Sequence, residues 1–360
     1  MLIGVPREIK NHEYRVGLTP EAVLELAQRG HKVLVESGAG GGIGVTDGDY
    51  VQAGAAIAAD AKSLFAEAEM IVKVKEPQPQ ECAMLRPGQI LFTYLHLAAE
   101  PEIARALQKS GAVCIAYETV TDAAGRLPLL APMSEVAGRM AVQAGAHYLE
   151  KAHGGRGVLL SGVPGTSRGK VMILGGGTVG ANAAQVACGM GAEVTVFDRS
   201  LPRLRELDLA FGGALNTHYA TTGAIEKALR RADLVIGAVL VPGAAAPRLV
   251  TRAALKTMQQ GAVMVDVAID QGGCFETSRP TTHAEPVYAV DGVIHYCVTN
   301  MPGAVPRTST FALTHATLPY VITLADRGWR EAMSGDPGFG LGLNVAEGKI
   351  MHPAVAAALG

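Results

Sequence analysis

The chain has 360 residues, with 31 Lys and Arg against 33 Asp and Glu, so its formal net charge is only -2. That near balance excludes a protein held to nucleic acid or to a membrane surface by a basic field, and at roughly 100–200 residues per domain the length predicts two domains, each with its own core. Hydrophobic residues at 49% and charged residues at 18% fit a compact globular chain; the 44 glycines follow no Gly-x-y period, which excludes collagen and leaves turns and close packing to use them.

Cys82, Cys114, Cys188, Cys274 and Cys297 are scattered with no Cys-x-x-Cys spacing. Neither a zinc site nor a disulfide framework is expected, and a reducing compartment is the simpler reading. His31, His147 and His153 read as surface or packing residues, so no metal is expected. The opening Met1-Leu-Ile-Gly-Val-Pro-Arg-Glu-Ile-Lys10 lacks a basic segment followed by an apolar core, so a cytoplasmic protein is expected. Residues 171–192 carry no Asp, Glu, Lys, Arg or His and are long enough to span a bilayer. Their start, Val171-Met-Ile-Leu174, is closed by three glycines, which reads as a buried strand and turn. Residues 308–325, interrupted by His315 and Pro319, are likewise not read as a span.

In chain order, strand-like runs at 2–5, 31–36, 70–74, 90–93 and 112–117 alternate with helical patterns. The first helix is marked by Thr19 as cap, Pro20 at its first position and Gly30 at its end. Residues 135–151 are helical, and a Gly-rich loop over 154–169 leads to the strand that starts at Val171. Strand patterns follow at 193–197, 234–238, 263–267 and 295–298. Pro302-Gly-Ala-Val-Pro306 reads as a linker before a helix over 310–333, and the tail shows no strand pattern of its own, so it is expected to pack on the first domain. The expectation is an α/β fold of two Rossmann-like parallel-sheet domains with a cleft between them, the first discontinuous. Residues 1–130 and 306–360 would form the substrate-binding, catalytic domain and residues 131–305 the dinucleotide-binding domain.

Gly175-Gly-Gly177-Thr-Val-Gly180 fits Gly-x-Gly-x-x-Gly. Its context gives it weight: a strand precedes it, a helix follows, and a second strand ends in Asp198, 18 residues after Gly180. Gly175 permits the tight turn, Gly177 lets backbone approach a pyrophosphate, and Gly180 lets helix pack on strand. Asp198 can accept hydrogen bonds from ribose hydroxyls and would repel a 2'-phosphate, which favours NAD over NADP; Arg199 or Arg203 could instead hold that phosphate. Gly38-Ala-Gly-Gly-Gly-Ile-Gly44 lacks the third glycine at the needed spacing and reads as a loop.

Chemistry beside a nicotinamide needs charge clamps and a proton donor or acceptor. Lys73 and Lys75 alternate with valines, as if sharing one face of a strand, near the end where ligands bind in such sheets; a solvated edge lysine is the competing reading. Arg15 lies in a polar loop after the first strand, where a guanidinium could grip a carboxylate or simply face solvent. His96 follows Leu91-Phe-Thr-Tyr-Leu95 at another strand end, as a proton carrier or a structural imidazole. Asp270 ends Val265-Asp-Val-Ala-Ile-Asp270, with Asp266 as a competing acid within the strand.

Read with their surroundings, these positions resemble the alanine dehydrogenase family. The resemblance rests on Gly4-Val-Pro-Arg-Glu-Ile-Lys10 with Glu13-Tyr-Arg-Val-Gly17, Leu91-Phe-Thr-Tyr-Leu-His-Leu-Ala98, and Leu129-Leu-Ala-Pro-Met-Ser-Glu-Val-Ala-Gly-Arg-Met140. It continues through the glycine turn, Asp266-Val-Ala-Ile-Asp-Gln-Gly-Gly273 and Asn300-Met-Pro-Gly303, and so covers nearly the whole chain. It implies NAD-dependent, reversible oxidative deamination of L-alanine to pyruvate and ammonium, with Arg15 and Lys75 binding the carboxylate and His96 and Asp270 moving protons. Implied cofactor contacts are Ser134, Gly175, Gly177, Thr178, Val179, Gly180, Asp198, Arg203, Val239, Leu240, Val267, Ala268, Ile269, Asp270, Arg279, Val298, Thr299, Asn300 and Met301. The family usually forms homohexamers, so a homo-oligomer is implied as well. The nearest alternative is the soluble NAD-binding subunit of a proton-translocating transhydrogenase; His96 within Tyr-Leu-His-Leu-Ala favours the dehydrogenase.

Overall fold

A computed structural model describes residues 1–239 and 246–359. The chain folds as two compact units, Met1–Met133 with Gly303–Gly360, and Ser134–Pro302. The central strands of each are short Val-, Ile- and Leu-rich runs buried on both faces, the pattern that parallel strands covered by helices require, while outer strands such as Asn216–Tyr219 are largely exposed.

In the first unit these runs form β1 (Leu2–Val5), β2 (Lys32–Glu36), β3 (Ala56–Ala58), β4 (Met70–Val72), β5 (Ile90–Thr93) and β6 (Val113–Ala116). The second contains β7 (Lys170–Leu174), β8 (Glu193–Asp198), β9 (Asn216–Tyr219), β10 (Leu234–Gly237), β11 (Val263–Asp266), β12 (Val287–Val290) and β13 (Val293–Tyr296). The tail adds β14 (Leu343–Ala346) and β15 (Lys349–Ile350) to the first unit.

The first sheet runs β3-β2-β1-β4-β5-β6-β14-β15 and the second β9-β8-β7-β10-β11-β13-β12. Both follow the doubly wound order 3-2-1-4-5-6, extended at one edge by antiparallel strands. Order reverses between β1 and β4, where Ile3 faces both Val33 and Met70, and between β7 and β10, where Ile173 faces both Val196 and Ile236. Ligands of such sheets bind outside the carboxyl ends of the strands at these reversal points, so the fold itself nominates two loop clusters.

The helix Pro20–Gln28 begins as expected: the Thr19 hydroxyl accepts from Ala22 N at 3.4 Å, and Pro20 occupies the first turn. Three expectations need correction. The run 70–74 is a regular strand only to Val72; Val74 N donates to Glu8 Oε1 at 2.7 Å, and Lys73 turns into a buried ion cluster instead of sharing a face with Lys75. The tail does hold strands: β14 pairs antiparallel with β6, and the turn to β15 uses Glu347 and Gly348, both at positive φ (52° and 73°), a mirror-type hairpin turn. Four and two residues are too few for alternation to show. The supposed linker is a 3-10 turn, Met301–Ala304, that runs into the helix Pro306–Gly335, which breaks at Gly328 (φ 74°, ψ 161°). Among the described residues no helix is long and apolar enough to cross a membrane.

Candidate active site

In the second unit the turn after β7 is shaped by steric limits. Gly175 has φ 100°, a conformation costly to any residue with a Cβ. A Cβ on Gly180 would lie 1.8 Å from Gly175 O, so the helix Thr178–Gly189 packs on β7 only because that atom is missing. A Cβ on Gly177 would meet nothing within 4 Å, so the space beside this backbone is open. No side chain caps the first turn of this helix, which leaves its amides available to an anion.

Asp198, at the end of β8, accepts from Gly176 N (2.7 Å) and Ser200 N (2.8 Å), so its carboxylate is fixed beside the turn. Each carboxylate oxygen keeps acceptor capacity for a ribose hydroxyl. Arg203 donates to Gly176 O (2.6 Å) and Glu206 (2.7 Å). Its guanidinium is thus partly neutralised, which weakens the alternative of a 2'-phosphate there.

Several other positions named from sequence follow the carboxyl ends of further strands in this sheet. Val239 follows β10, and Leu240 lies outside the described residues. Val267, Ala268, Ile269 and Asp270 follow β11; Ala268 and Ile269 are buried, and Asp270 is exposed on the 3-10 turn Ile269–Gln271. Val298, Thr299, Asn300 and Met301 follow β13; Thr299 N donates to Thr281 O, and Asn300, at φ 60°, accepts from His283 Nε2 at 3.1 Å. Ser134 is in the first turn of the helix Ala131–Tyr148. Arg279 lies over the Tyr288 ring at 4.1 Å, while its amide donates to the same hydroxyl at 2.8 Å.

Asp266, the competing acid, is fully buried and organises this loop. Its carboxylate accepts from Ser278 Oγ (2.5 Å), Cys274 N (2.8 Å) and Ala268 N (3.1 Å), and from Phe275 N. Burial raises its pKa against the pull of these neutral donors. Asp270 is carried on the segment so gathered.

In the first unit, Arg15, Lys75 and His96 follow β1, β4 and β5, three adjacent strands. Arg15 is buried and doubly bound to Glu13: Nε to Oε1 at 2.7 Å and Nη2 to Oε2 at 2.5 Å. Its Nη1 edge meets Met133 Sδ at 3.1 Å. Burial alone would weaken the charge, but the hydrogen bonds and charge of Glu13 outweigh it and hold the guanidinium above its ordinary pKa. Lys75 is half-buried, and its backbone is fixed from two sides, by Thr93 Oγ1 donating to its carbonyl (2.9 Å) and Glu8 accepting from its amide (3.4 Å).

His96 is exposed and sits at φ 50°. A non-glycine residue holds that conformation only where its surroundings over-determine it. Here Glu118, in the turn after β6, accepts from His96 N (2.6 Å) and Leu95 N (3.2 Å), and the ring lies parallel to Tyr94 at 5.9 Å. His96 and Asn300 are among the few described non-glycine residues at positive φ.

Sequence reading missed the supports: Glu8, Glu13, Glu118 and buried Lys73. Lys73 donates to Glu8 (3.1 Å) and Glu81 (2.7 Å), and its carbonyl accepts from Tyr117 Oη (3.0 Å). The only signal was a lysine within an otherwise apolar run.

Two doubly wound sheets with a glycine turn, an acid-ended second strand and catalytic-type side chains at strand ends define a two-unit α/β protein of the dinucleotide-binding class. The family profile described as "Alanine dehydrogenase/PNT, N-terminal domain" matches residues 4–137, and "Alanine dehydrogenase/PNT, C-terminal domain" matches residues 141–353. The chain is 62% identical over 360 residues to an alanine dehydrogenase of Halomonas elongata, covering 100% of this chain and 97% of that one. It is 54% identical to one of Mycobacterium tuberculosis with the same coverage. A solved structure named L-alanine dehydrogenase superposes with a TM-score of 0.97 at 52% identity, covering 99% of each chain. A transhydrogenase from Sinorhizobium meliloti superposes at 0.84 with 25% identity, covering 98% of this chain and 100% of that one. The chain belongs to the alanine dehydrogenase/PNT family.

Proposed function

We propose that this protein is an NAD-dependent L-alanine dehydrogenase that interconverts L-alanine with pyruvate and ammonium. The observation that carries the reading is the setting of Arg15, Lys75 and His96 at the ends of three adjacent strands, in a chain that matches enzymes of that name over its whole length.

The residues at the end of β7 fit a dinucleotide: open space beside Gly177, uncapped amides and an oriented Asp198. Gly175, Gly177, Thr178, Val179 and Gly180 would hold the pyrophosphate, Asp198 the ribose, and Ser134, Val239, residues 267–270, Arg279 and residues 298–301 the remainder. Bound NAD would supply the acceptor for the hydride on the alanine Cα. Arg15 and Lys75 hold the substrate carboxylate, each charged hydrogen bond contributing about 1.5–3 kcal/mol. Glu13 keeps the guanidinium in one orientation, so little side-chain freedom is lost on binding. His96 gives a proton to, or takes one from, the substrate oxygen, and Asp270 handles the protons of amine and water. By the same family likeness the working form is a homohexamer.

Purified protein should form NADH when given L-alanine and NAD, and consume it when given pyruvate and ammonium. Absence of both reactions, with NADH still bound, would leave only a cofactor-binding module. His96→Ala should lose turnover by roughly 100- to 10,000-fold, the usual worth of a general acid or base, with NADH binding unchanged; a mutant turning over normally would remove the imidazole from the mechanism. Lys75→Ala should raise KM for pyruvate about 10- to 100-fold, the equivalent of one charged hydrogen bond. A change confined to NADH affinity would contradict its role.

A further inference from the structure

We propose that His147, Glu150 and His153 form a surface site for a divalent transition-metal ion in the second unit. His147 is in the last turn of the helix Ala131–Tyr148, Glu150 follows it in extended backbone, and His153 closes the 3-10 turn Lys151–His153. Gly154 at φ 85° turns the chain, and His153 N and Gly155 N both donate to Glu150 O at 3.1 Å. The reversal brings the two imidazoles together with ring centroids 3.9 Å apart. One ligand atom from each of the three side chains lies within 4.8 Å of the others.

Three features argue for a metal rather than an ordinary ion pair. Glu150 Oε1 lies 3.9 Å from His147 Nδ1, and Glu150 Oε2 lies 3.7 Å from His153 Nε2, both beyond hydrogen-bond length. The donor atoms therefore converge without satisfying one another. Metal–ligand bonds of about 2.0–2.2 Å place tetrahedral ligands about 3.3–3.5 Å apart; from ligand atoms that all lie within 4.8 Å of one another, this closure is within reach of rotamer adjustment in exposed side chains. The backbone that carries them is anchored by Leu149, which is fully buried and whose carbonyl accepts from Gly157 N at 2.8 Å. A cation there also sits at the negative end of the helix dipole.

Two imidazoles and one carboxylate select Zn(II), Ni(II), Co(II) or Cu(II) over Mg(II) and Ca(II), which prefer all-oxygen shells. Three protein ligands leave at least one position for water. Occupancy would clamp the end of the helix that begins beside Ser134 to the turn that follows it, and so stabilise this unit by mass action.

The test is calorimetric titration of the chelator-treated, tag-free full chain with Zn(II), Ni(II) and Mg(II), alongside thermal unfolding. One equivalent of Zn(II) or Ni(II) per chain should bind and raise the unfolding midpoint, and Mg(II) should do neither. His147→Ala and His153→Ala should each weaken binding by at least about tenfold, since even an outer-shell partner costs about 10- to 100-fold, and Lys151→Ala should leave it unchanged. No binding of Zn(II) or Ni(II), or binding that both histidine variants retain in full, as capture by Cys188 would produce, overturns the proposal.

Discussion

Lys73→Ala is expected to lower the free energy of unfolding by about 3–5 kcal/mol, the usual result of removing one partner from a buried ion pair. Lys73 is inaccessible to solvent, and its ammonium is the shared partner of Glu8 and Glu81, both buried. Without it, two carboxylates face each other in a dry interior, and most of the cost is their uncompensated charge, not the lost contact. The defect should depend on pH in a defined direction. Burial already raises the pKa of Glu8, with Lys73 opposing, so removal of the lysine raises it further. A carboxyl whose folded pKa exceeds its unfolded value contributes stability that is present below about pH 4.3 and is lost as pH climbs through the folded value. Urea unfolding of Lys73→Ala and the parent should therefore nearly agree at about pH 4 and diverge towards neutrality. A constant difference at every pH would mean that Glu8 does not carry the defect. Because Glu8 also accepts from the amides of Val74 and Lys75, the variant should raise KM for pyruvate as well.

Three glycines, one capping the helix Thr178–Gly189 and two within it, should separate packing from binding. Gly180→Ala places a methyl at 1.8 Å from Gly175 O and forces the helix off β7. Overpacking typically costs about 1–3 kcal/mol, occasionally more, which corresponds to a loss of roughly 5- to 150-fold in NADH affinity if it falls on the bound geometry, together with a lower unfolding midpoint. Gly177→Ala adds a methyl to open space, at an extended backbone (φ -66°, ψ -161°) that alanine adopts. It should leave stability intact and weaken NADH binding, because the methyl would stand where the proposed binding mode brings the pyrophosphate close. Gly189→Ala, also in open space at ordinary helical backbone, should change neither binding nor fold, or stabilise by about 0.5–1 kcal/mol. Fluorescence titration with NADH and thermal unfolding of the three variants decide the matter: equal affinity in Gly177→Ala and the parent would move the cofactor away from this turn.

The contrast between these experiments marks what could be read in the residues. The dinucleotide turn is local, with strand, glycines, helix and acid-ended strand falling within about thirty residues, and each requirement has a residue type that meets it. Positions after strands were legible for the same reason, since Lys75 and His96 close apolar runs and Arg15 lies in the polar loop after the first one. What holds them was not. Glu8 lies 66 residues from Val74, and Glu118 lies 22 from His96, so these partners meet only once the sheet order is set. Glu13 is two residues from Arg15, yet nothing about that spacing foretells a buried, two-toothed pair. Lys73 misled because a charged residue in an apolar run reads as facing solvent, whereas two distant acids admit it to the core. Strands β3, β9, β12, β14 and β15 lie at or near sheet edges, where β3, β9 and β12 are partly exposed and β15 has only two residues, so they lack the continuous apolar run that marks the central strands.

The carboxylate of Asp266 has a last consequence. It gathers amides from Ala268 to Phe275 and the hydroxyl of Ser278, so the intervening residues form a loop drawn closed by a single knot. A change at any of these contacts is therefore transmitted along the segment through the shared carboxylate. Selection acting anywhere along it, even far from the substrate, would be felt as a change of aim at Asp270, and re-engineering of this enzyme for bulkier amino acids would do better to transplant the entire span than to vary its residues singly.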